Sequence, residues 1–323
     1  MNSVMDTEPQ TLIDAIRYFS DPDNSLRTMV DLRWPNGVTC PTCGDRNVRY
    51  ISTRRIWECK GQHPRRQFSA RVGTIFEDSP LGLDKWFSAI WMIANCKNGV
   101  SSYEIHRGVG VTQKTAWFML YRIRLAMETG SFLKSGGEFE ADETFIGGLS
   151  KNMSKTRRGK TIKGTVGAGK EVVAGVLRRG TEIESSNAIA GHVPNTKKHT
   201  IEPGVRAAAE SGSTVYTDAL PSYNGLDADY IHHVIDHAVE YVRGKIHTNA
   251  MENFWSLFKR ALKGTYVSVE LAHLDAYVVE QTFRFKERKD VDGCQFRKVL
   301  GNVEGKRIMY KEVIGRESNF ATA

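Results

Sequence analysis

The chain has 323 residues, 40% hydrophobic and 25% charged, a globular composition that excludes wholesale disorder and leaves room for two or three domains. No run of about 18 apolar residues occurs, so no membrane span is expected, and the opening MNSVMDTEPQ lacks the basic and apolar stretches of a secretory signal. Lys and Arg number 45 against 37 Asp and Glu, a formal charge of +8 that favours a polyanionic partner.

Residues 1–35 read as a helical lead. Leu12, Ile13, Ile16 and Phe19 recur at helical spacing, and Asp21-Pro-Asp breaks the run. Residues 36–79 are rich in Cys, Arg, Gly and Pro, with short strand-like pieces at Val48–Ile51 and Gln67–Ala70. Residues 80–130 form the most helical region, with Leu83, Trp86, Phe87, Ile90 and Met92 on one apolar face. A Ser-Gly-Gly linker follows. From 138 to 300, strands are expected at 138–146, 171–178, 182–190, 213–218 and 230–235. Helices are expected near 200–211, 248–263 and 270–285, which makes this region α/β or α+β. Residues 151–170 carry seven Lys and Arg, no acid and several Gly, and read as a basic loop inserted into it. Residues 301–323 are a C-terminal tail.

Five cysteines is an odd count, and three of them fall within 20 residues, which suits a reduced compartment and a metal better than disulfides. Cys40-Pro-Thr-Cys43-Gly is a knuckle whose two thiolates can face one ion. Cys59-Lys-Gly-Gln-His63 supplies a second pair as C-x3-H. Cys40, Cys43, Cys59 and His63 have the count and softness for tetrahedral, structural Zn²⁺. The alternative is one knuckle beside a solvent-exposed His63.

Ser101 to Val109 reads as a short capped helix, Gly108-Val-Gly-Val as a turn, and Thr112 to Arg124 as a second helix with Ala116, Met119, Leu120 and Ile123 inward. Gln113, Lys114 and Thr115 then stand at its exposed start, where a recognition helix meets base edges. An ordinary helical hairpin packed on 83–94 fits the same pattern.

Three acids stand at strand ends or on a polar helix face. Asp142 lies in Phe139-Glu-Ala-Asp-Glu-Thr-Phe-Ile, Asp218 closes Thr214-Val-Tyr-Thr, and Glu252 opens the helix Met251-Glu-Asn-Phe-Trp-Ser-Leu-Phe-Lys-Arg. On that helix Met251, Trp255, Phe258 and Leu262 form the apolar stripe, with Glu252, Ser256, Lys259 and Lys263 opposite. Carboxylates gathered from strands and a helix suit Mg²⁺ or Mn²⁺. Each taken singly also reads as a solvated acid. Glu143 competes with Asp142, and Asn249 and Asn253 with Glu252. Gly164 to Lys170 matches GxxxxGK, but Glu171 stands where Mg²⁺ needs Ser or Thr, which excludes a P-loop. The cluster His232, His233 and His237 is assigned no role.

Taken together, the chain resembles insertion-sequence transposases of the zinc-ribbon, ISXO-like DDE type. The resemblance is carried by CPTCG at 40–44, the run from Phe68 to Ser79, Lys114 to Arg124, Glu140 to Gly148, Tyr216-Thr-Asp218, His247 to Arg260 and Gly264-Thr-Tyr266. It covers roughly residues 30 to 290. It implies an α+β multidomain chain: a zinc ribbon (36–79), a helix-turn-helix region (80–130) and an RNase H-like α/β catalytic core with a mixed sheet (138–300). It implies metal-dependent cleavage and strand transfer at the terminal inverted repeats of the element. By position, Asp142 and Asp218 are its metal-binding aspartates and Glu252 the third acid, holding Mg²⁺ or Mn²⁺, and Lys259 touches DNA near the scissile phosphate. The expected partner is double-stranded DNA, both transposon ends and target, bound by a homo-oligomer. The expected setting is the cytoplasm, at the nucleoid of a bacterial cell. Two other functions are compatible with the motifs: an inactive, domesticated DNA-binding regulator, and an RNase H-like endonuclease that cuts without joining.

Overall fold

The structure, a computed structural model, describes residues 9–128, 133–147, 170–181, 184–235, 247–267 and 269–315. The basic loop read at 151–170 lies outside the described residues except for Lys170, as does His237. The contacts divide the chain into two units, Met1–Thr129 with Asp290–Ala323, and Gly130–Lys289. Among the described residues no helix is long and apolar enough to cross a membrane.

In the first unit, α1 (Leu12–Phe19) is capped by Thr11 and α2 (Pro22–Arg33) by Asp21, so the Asp-Pro pair that ends the first helix starts the second. Of the apolar residues that mark α1, Phe19 is buried, whereas Leu12, Ile13 and Ile16 are exposed. The small antiparallel sheet follows: β1 (Val48–Ile51), β2 (Ile56–Cys59) and β3 (Gln67–Phe68), in that order. The sequence reading missed β2, which carries one of the ligand cysteines. Trp34, Trp57 and Phe68 give this sheet its own small core.

Helix α3 (Leu83–Asn95) is the centre of the unit. Leu83, Trp86, Phe87 and Ile90 are buried as expected, but Ala89, Trp91, Ile93 and Ala94 are buried too, so it is covered nearly all round. It is flanked by α4 (Ser102–Val109) and α5 (Gln113–Met127). Residues 290–300, read from sequence as the end of the second region, group with the first: α9 (Asp292–Leu300) places Phe296 against Phe87 and Trp91 of α3. Buried Arg122 of α5 donates to the carbonyls of Ile75, Glu77 and Ile308, tying the 68–79 motif and the C-terminal segment to one helix. The segment ends in α10 (Tyr310–Val313).

The second unit is a five-stranded mixed sheet. Its strands are β4 (Glu138–Ile146), β5 (Glu171–Arg178), β6 (Asn187–Val193), β7 (Thr214–Asp218) and β8 (Ile231–Ile235), in the order β6-β5-β4-β7-β8. The first three pair antiparallel, and β4–β7 and β7–β8 pair parallel. Strand β6 starts five residues later than its sequence pattern does. Ahead of it the Gly180 amide donates to Ser186 Oγ, and a Cβ at Gly180 would stand 2.5 Å from the Glu184 carbonyl oxygen.

Alternation along the strands sorts side chains to two faces. Phe139, Ala141, Val176 and Val215 meet Ile201 and Val205 of α6 (Lys198–Ala208) on one. On the other, Val173 and Leu177 meet Met251, Phe254, Trp255 and Phe258 of α7 (Asn249–Ala261), and Val278 and Phe285 of α8 (Leu274–Glu287). Gly175 lets α7 approach: a Cβ there would stand 2.2 Å from Met251 Cε and 3.0 Å from the Trp255 ring.

Candidate functional site

The four zinc-ligand candidates come together. The ligand atoms of Cys40, Cys43, Cys59 and His63 all lie within 4.8 Å of one another, and no other His/Cys/Asp/Glu group among the described residues does so. Cys43 Sγ is 3.7 Å from Cys59 Sγ, and Cys40 Sγ is 3.4 Å from His63 Nε2. Bonds of ~2.3 Å to sulfur and ~2.0 Å to nitrogen at the tetrahedral angle place such pairs about 3.8 and 3.5 Å apart, so the four atoms fit one Zn²⁺. Gly44, at φ +75°, turns the chain after the knuckle, and Gly61 leaves room for the sulfurs: a Cβ there would sit 3.3 Å from Cys59 Sγ. Burial opposes ionisation of Cys40, but hydrogen bonds from the Thr42 and Cys43 amides and from the Cys43 and Cys59 side chains together outweigh it and lower its pKa. Burial dominates at Cys59 and pushes its thiol up to about 11. Coordination deprotonates such a thiol outright.

The carboxylates are placed by strand register. Glu140 of β4 is opposite Tyr216 of β7 in a parallel pair, and two residues further along each strand stand Asp142 and Asp218. Period two sends both to the face covered by α7. Asp142 lines a cleft of about 550 Å³ with Glu143, Thr144, Glu252, Trp255, Ser256, Lys259, Arg260 and Lys263. The helical phase read from sequence thus puts Glu252 and Lys259 on this cleft, while Asn253 and Asn249 are exposed elsewhere on α7. Asp218 does not line the cleft itself, but its charge acts on both Asp142 and Glu143.

Burial and the charge of Asp218 raise the Asp142 carboxyl to about 6, with Glu252 adding to the repulsion and the Glu143 amide, 2.9 Å from Oδ1, opposing it. Glu143 goes up to about 7 through burial, then Asp218 and Asp142, with the Tyr223 hydroxyl donating to it at 3.1 Å. The buried indole N–H of Trp255 has no hydrogen-bond partner, yet lies near enough to Asp142 to favour its charge. On the opposite wall, burial lowers the pKa of Lys259, and Asp142 works against that. Oxygen-rich, short of positive charge at the carboxylates and basic along one rim, the cleft suits a hard divalent cation and a phosphate ester.

The helix pair of the first unit has the caps its sequence predicts. Ser101 and Glu104 form a reciprocal capping box on α4, Gly110 leaves it at φ +68°, and Thr112 accepts from the Thr115 amide to start α5. Ala116, Met119, Leu120 and Ile123 are buried. Of the three residues at its start, Lys114 is exposed, over the Tyr310 ring. Gln113 is half-buried, donating to Ser102 Oγ, and Thr115 bonds the Thr112 hydroxyl, so neither is as open as the sequence implies.

Sequence reasoning overlooked Glu140 and Arg179. The Glu140 carboxylate is fully buried, accepts from Arg179 Nε at 2.7 Å and from the Met251 amide at 2.8 Å, and so caps α7 from another strand. Period two along Glu138, Glu140 and Asp142 is the signal that put Glu140 on this face. Nothing local marks Arg179, whose neighbours come from strand pairing.

Residues 134–286 match the ISXO2-like transposase domain, and residues 21–61 match a transposase zinc-ribbon domain, a match that stops just short of His63. The chain is 27% identical over 263 residues to an uncharacterized protein in transposable element ISH50 of Halobacterium salinarum, an alignment covering 76% of this chain and 85% of that one. It is 32% identical over 94 residues to an uncharacterized transposase-like protein of Haemophilus influenzae, covering 29% of this chain and 76% of that one.

Proposed function

The chain belongs to the family of ISXO2-like transposases, and on that premise we propose that it binds the terminal inverted repeats of its element and carries out metal-dependent strand cleavage and strand transfer. The second unit is read as an RNase H-like core: three antiparallel strands continued by two parallel ones, with helices on both faces, support that reading. The observation that carries it is that Asp142 of β4 and Glu252 of α7 line one cleft with Lys259, while the charge of Asp218 on β7 acts on Asp142. These three are the ligands assigned to Mg²⁺ or Mn²⁺, with Glu143 beside them. Held by these carboxylates, such ions would supply activation of a water or 3′-hydroxyl and stabilisation of the leaving oxygen in phosphoryl transfer.

The protein's own groups do the rest. Lys259, Arg260 and Lys263 hold the phosphate backbone along the rim. Trp255 lines the cleft, and its indole favours the charged form of Asp142 against the larger effect of burial. The α4–α5 pair, read as a helix-turn-helix, and the zinc ribbon recognise the ends, with Lys114 the exposed residue of α5 poised for DNA.

Full-length protein with Mn²⁺, a labelled end-containing duplex and a supercoiled target tests this. Nicking at the element boundary and joining to the target support it. Cutting without joining identifies an endonuclease, and end binding without cutting a regulator.

A further inference from the structure

Arg179 follows the last residue of β5 and gathers groups from β4, β7 and the lead into α7. Its Nε reaches Glu140 and its Nη1 reaches Glu138 at 3.1 Å, both on β4. Its Nη2 donates to the His247 carbonyl, just ahead of α7, and lies 3.1 Å from His247 Nδ1. Its guanidinium stacks on the Tyr216 ring of β7, 4.0 Å from the centroid. Glu140 closes the set by accepting from the Met251 amide, one residue before Glu252. Glu140 precedes Asp142 by two residues and Tyr216 precedes Asp218 by two, a step of about 7 Å along each strand. The cluster is therefore a layer directly behind the carboxylates, joining the same three elements.

Fold stability alone does not call for an ion pair here. Glu140 is fully buried and the Arg179 side chain is 14% exposed. Desolvating such a pair consumes most of its attraction, and apolar residues of like size hold a core as well or better. What an apolar pair lacks is direction. A carboxylate that takes Arg179 on one oxygen and the α7 amide on the other fixes the rotation and height of the helix start relative to β4. A turn of α7 that slipped relative to β4 would carry Glu252 away from Asp142 while leaving the hydrophobic stripe largely buried. We propose that Glu140 and Arg179 are positioning residues that set the spacing of Asp142, Asp218 and Glu252 for divalent metal, an inference that rests on the metal-site reading above.

The test is Mn²⁺ binding to the full chain, measured from the electron paramagnetic resonance signal of the free ion, beside thermal unfolding and cleavage of an end-containing duplex. Glu140→Gln keeps the shape and an acceptor for the Met251 amide but removes the charge that orders Arg179. The expected result is a folded protein whose Mn²⁺ dissociation constant rises about tenfold or more, the usual scale for groups that orient metal ligands. Its DNA affinity stays unchanged, and its cleavage recovers at high Mn²⁺. Asp142→Asn does not recover. A folded Glu140→Gln with a Mn²⁺ constant within twofold of the parent overturns the proposal. If Glu140→Gln does not fold, Arg179→Lys takes its place, since Lys keeps the charge and loses the fork. The same rise is expected there, and an unchanged constant, or failure of both variants to fold, overturns the proposal by making the pair a folding element. A parent chain that binds no Mn²⁺ while retaining its fold sinks the metal-site reading itself, and this inference with it.

Discussion

Replacing Asp142 by Asn separates what the cleft does for catalysis from what it does to stability. The rise of Asp142 from an ordinary ~3.9 to about 6 means its ionised form is disfavoured in the folded chain, by about 3 kcal/mol at ~1.4 kcal/mol per pH unit. The sign follows from which state holds the proton. Between pH 4 and 6 the folded chain binds more protons than the unfolded one, so stability falls as pH rises through that window and stays low above it. Asn is isosteric, keeps an oxygen for the Glu143 amide and carries no charge to bury or repel. Without divalent metal at pH 8, Asp142→Asn should therefore stabilise the second unit by up to about 3 kcal/mol, or roughly 6–12 °C in its melting transition. At pH 5 about half of that gain remains by the same linkage. The same variant should lose end cleavage entirely, because the cation site loses a ligand. The assay is thermal unfolding in EDTA at pH 8 and pH 5, beside end cleavage in Mn²⁺. A variant that melts below the parent at pH 8 in EDTA, or that cleaves normally, refutes the argument that these acids are held together at a cost for the sake of a cation.

Other expectations follow from the same geometry. Purified protein should carry about one equivalent of Zn²⁺ from the ligand count; Cys43→Ala should lose it on metal analysis, and zinc retained by His63→Ala would remove His63 from the ligand set. Gly175→Ala should destabilise the second unit by about 1–3 kcal/mol in denaturant titration, because the added methyl has to displace Met251 and Trp255. Cleavage at fixed, limiting Mn²⁺ should rise with pH through about 6 to 7 as Asp142 and Glu143 lose their protons, and a flat profile over that range contradicts their assigned environment. Lys259→Ala should weaken end binding, with a shallower salt dependence in a mobility-shift titration, while leaving Mn²⁺ affinity near that of the parent.

Most elements were legible because their signals are local. The caps at Ser101 and Thr112 and the alternation of Phe139, Glu140, Ala141 and Asp142 are properties of a few adjacent residues. Where the reading slipped, a distant contact had decided. Residues 292–300 carry an ordinary amphipathic helix pattern, and it is distant pairing, such as Phe296 with Phe19, Phe87 and Trp91, that assigns them to the first unit. Leu12, Ile13 and Ile16 have helical spacing, yet α1 turns Ala15 and Phe19 inward and leaves them exposed. Strand β2 is four residues long with Glu58 at its centre, too short and too polar to announce itself before β1 pairs with it.

The candidate site divides along the same line. The carboxylates were found singly, since each sits beside residues whose periodicity fixes its face. Whether Asp142 or Glu143 faces α7 is a question of one residue of register, and the sequence left it open. The β4–β5 pairing places Asp142 opposite Gly175, the one position on that face stripped of a side chain so that Met251 and Trp255 can come close. Glu143, the next residue along, reaches the Tyr223 hydroxyl, though it too borders the cleft. The pairing of a buried acid with a glycine across the strand is therefore the mark of where α7 docks, and docking brings Glu252 and Lys259 into one cleft with Asp142. Arg179 could not be read in advance for the same reason. The partners described lie on β4, β7 and the lead into α7, and they become neighbours only after the sheet has formed and the helix has settled on it.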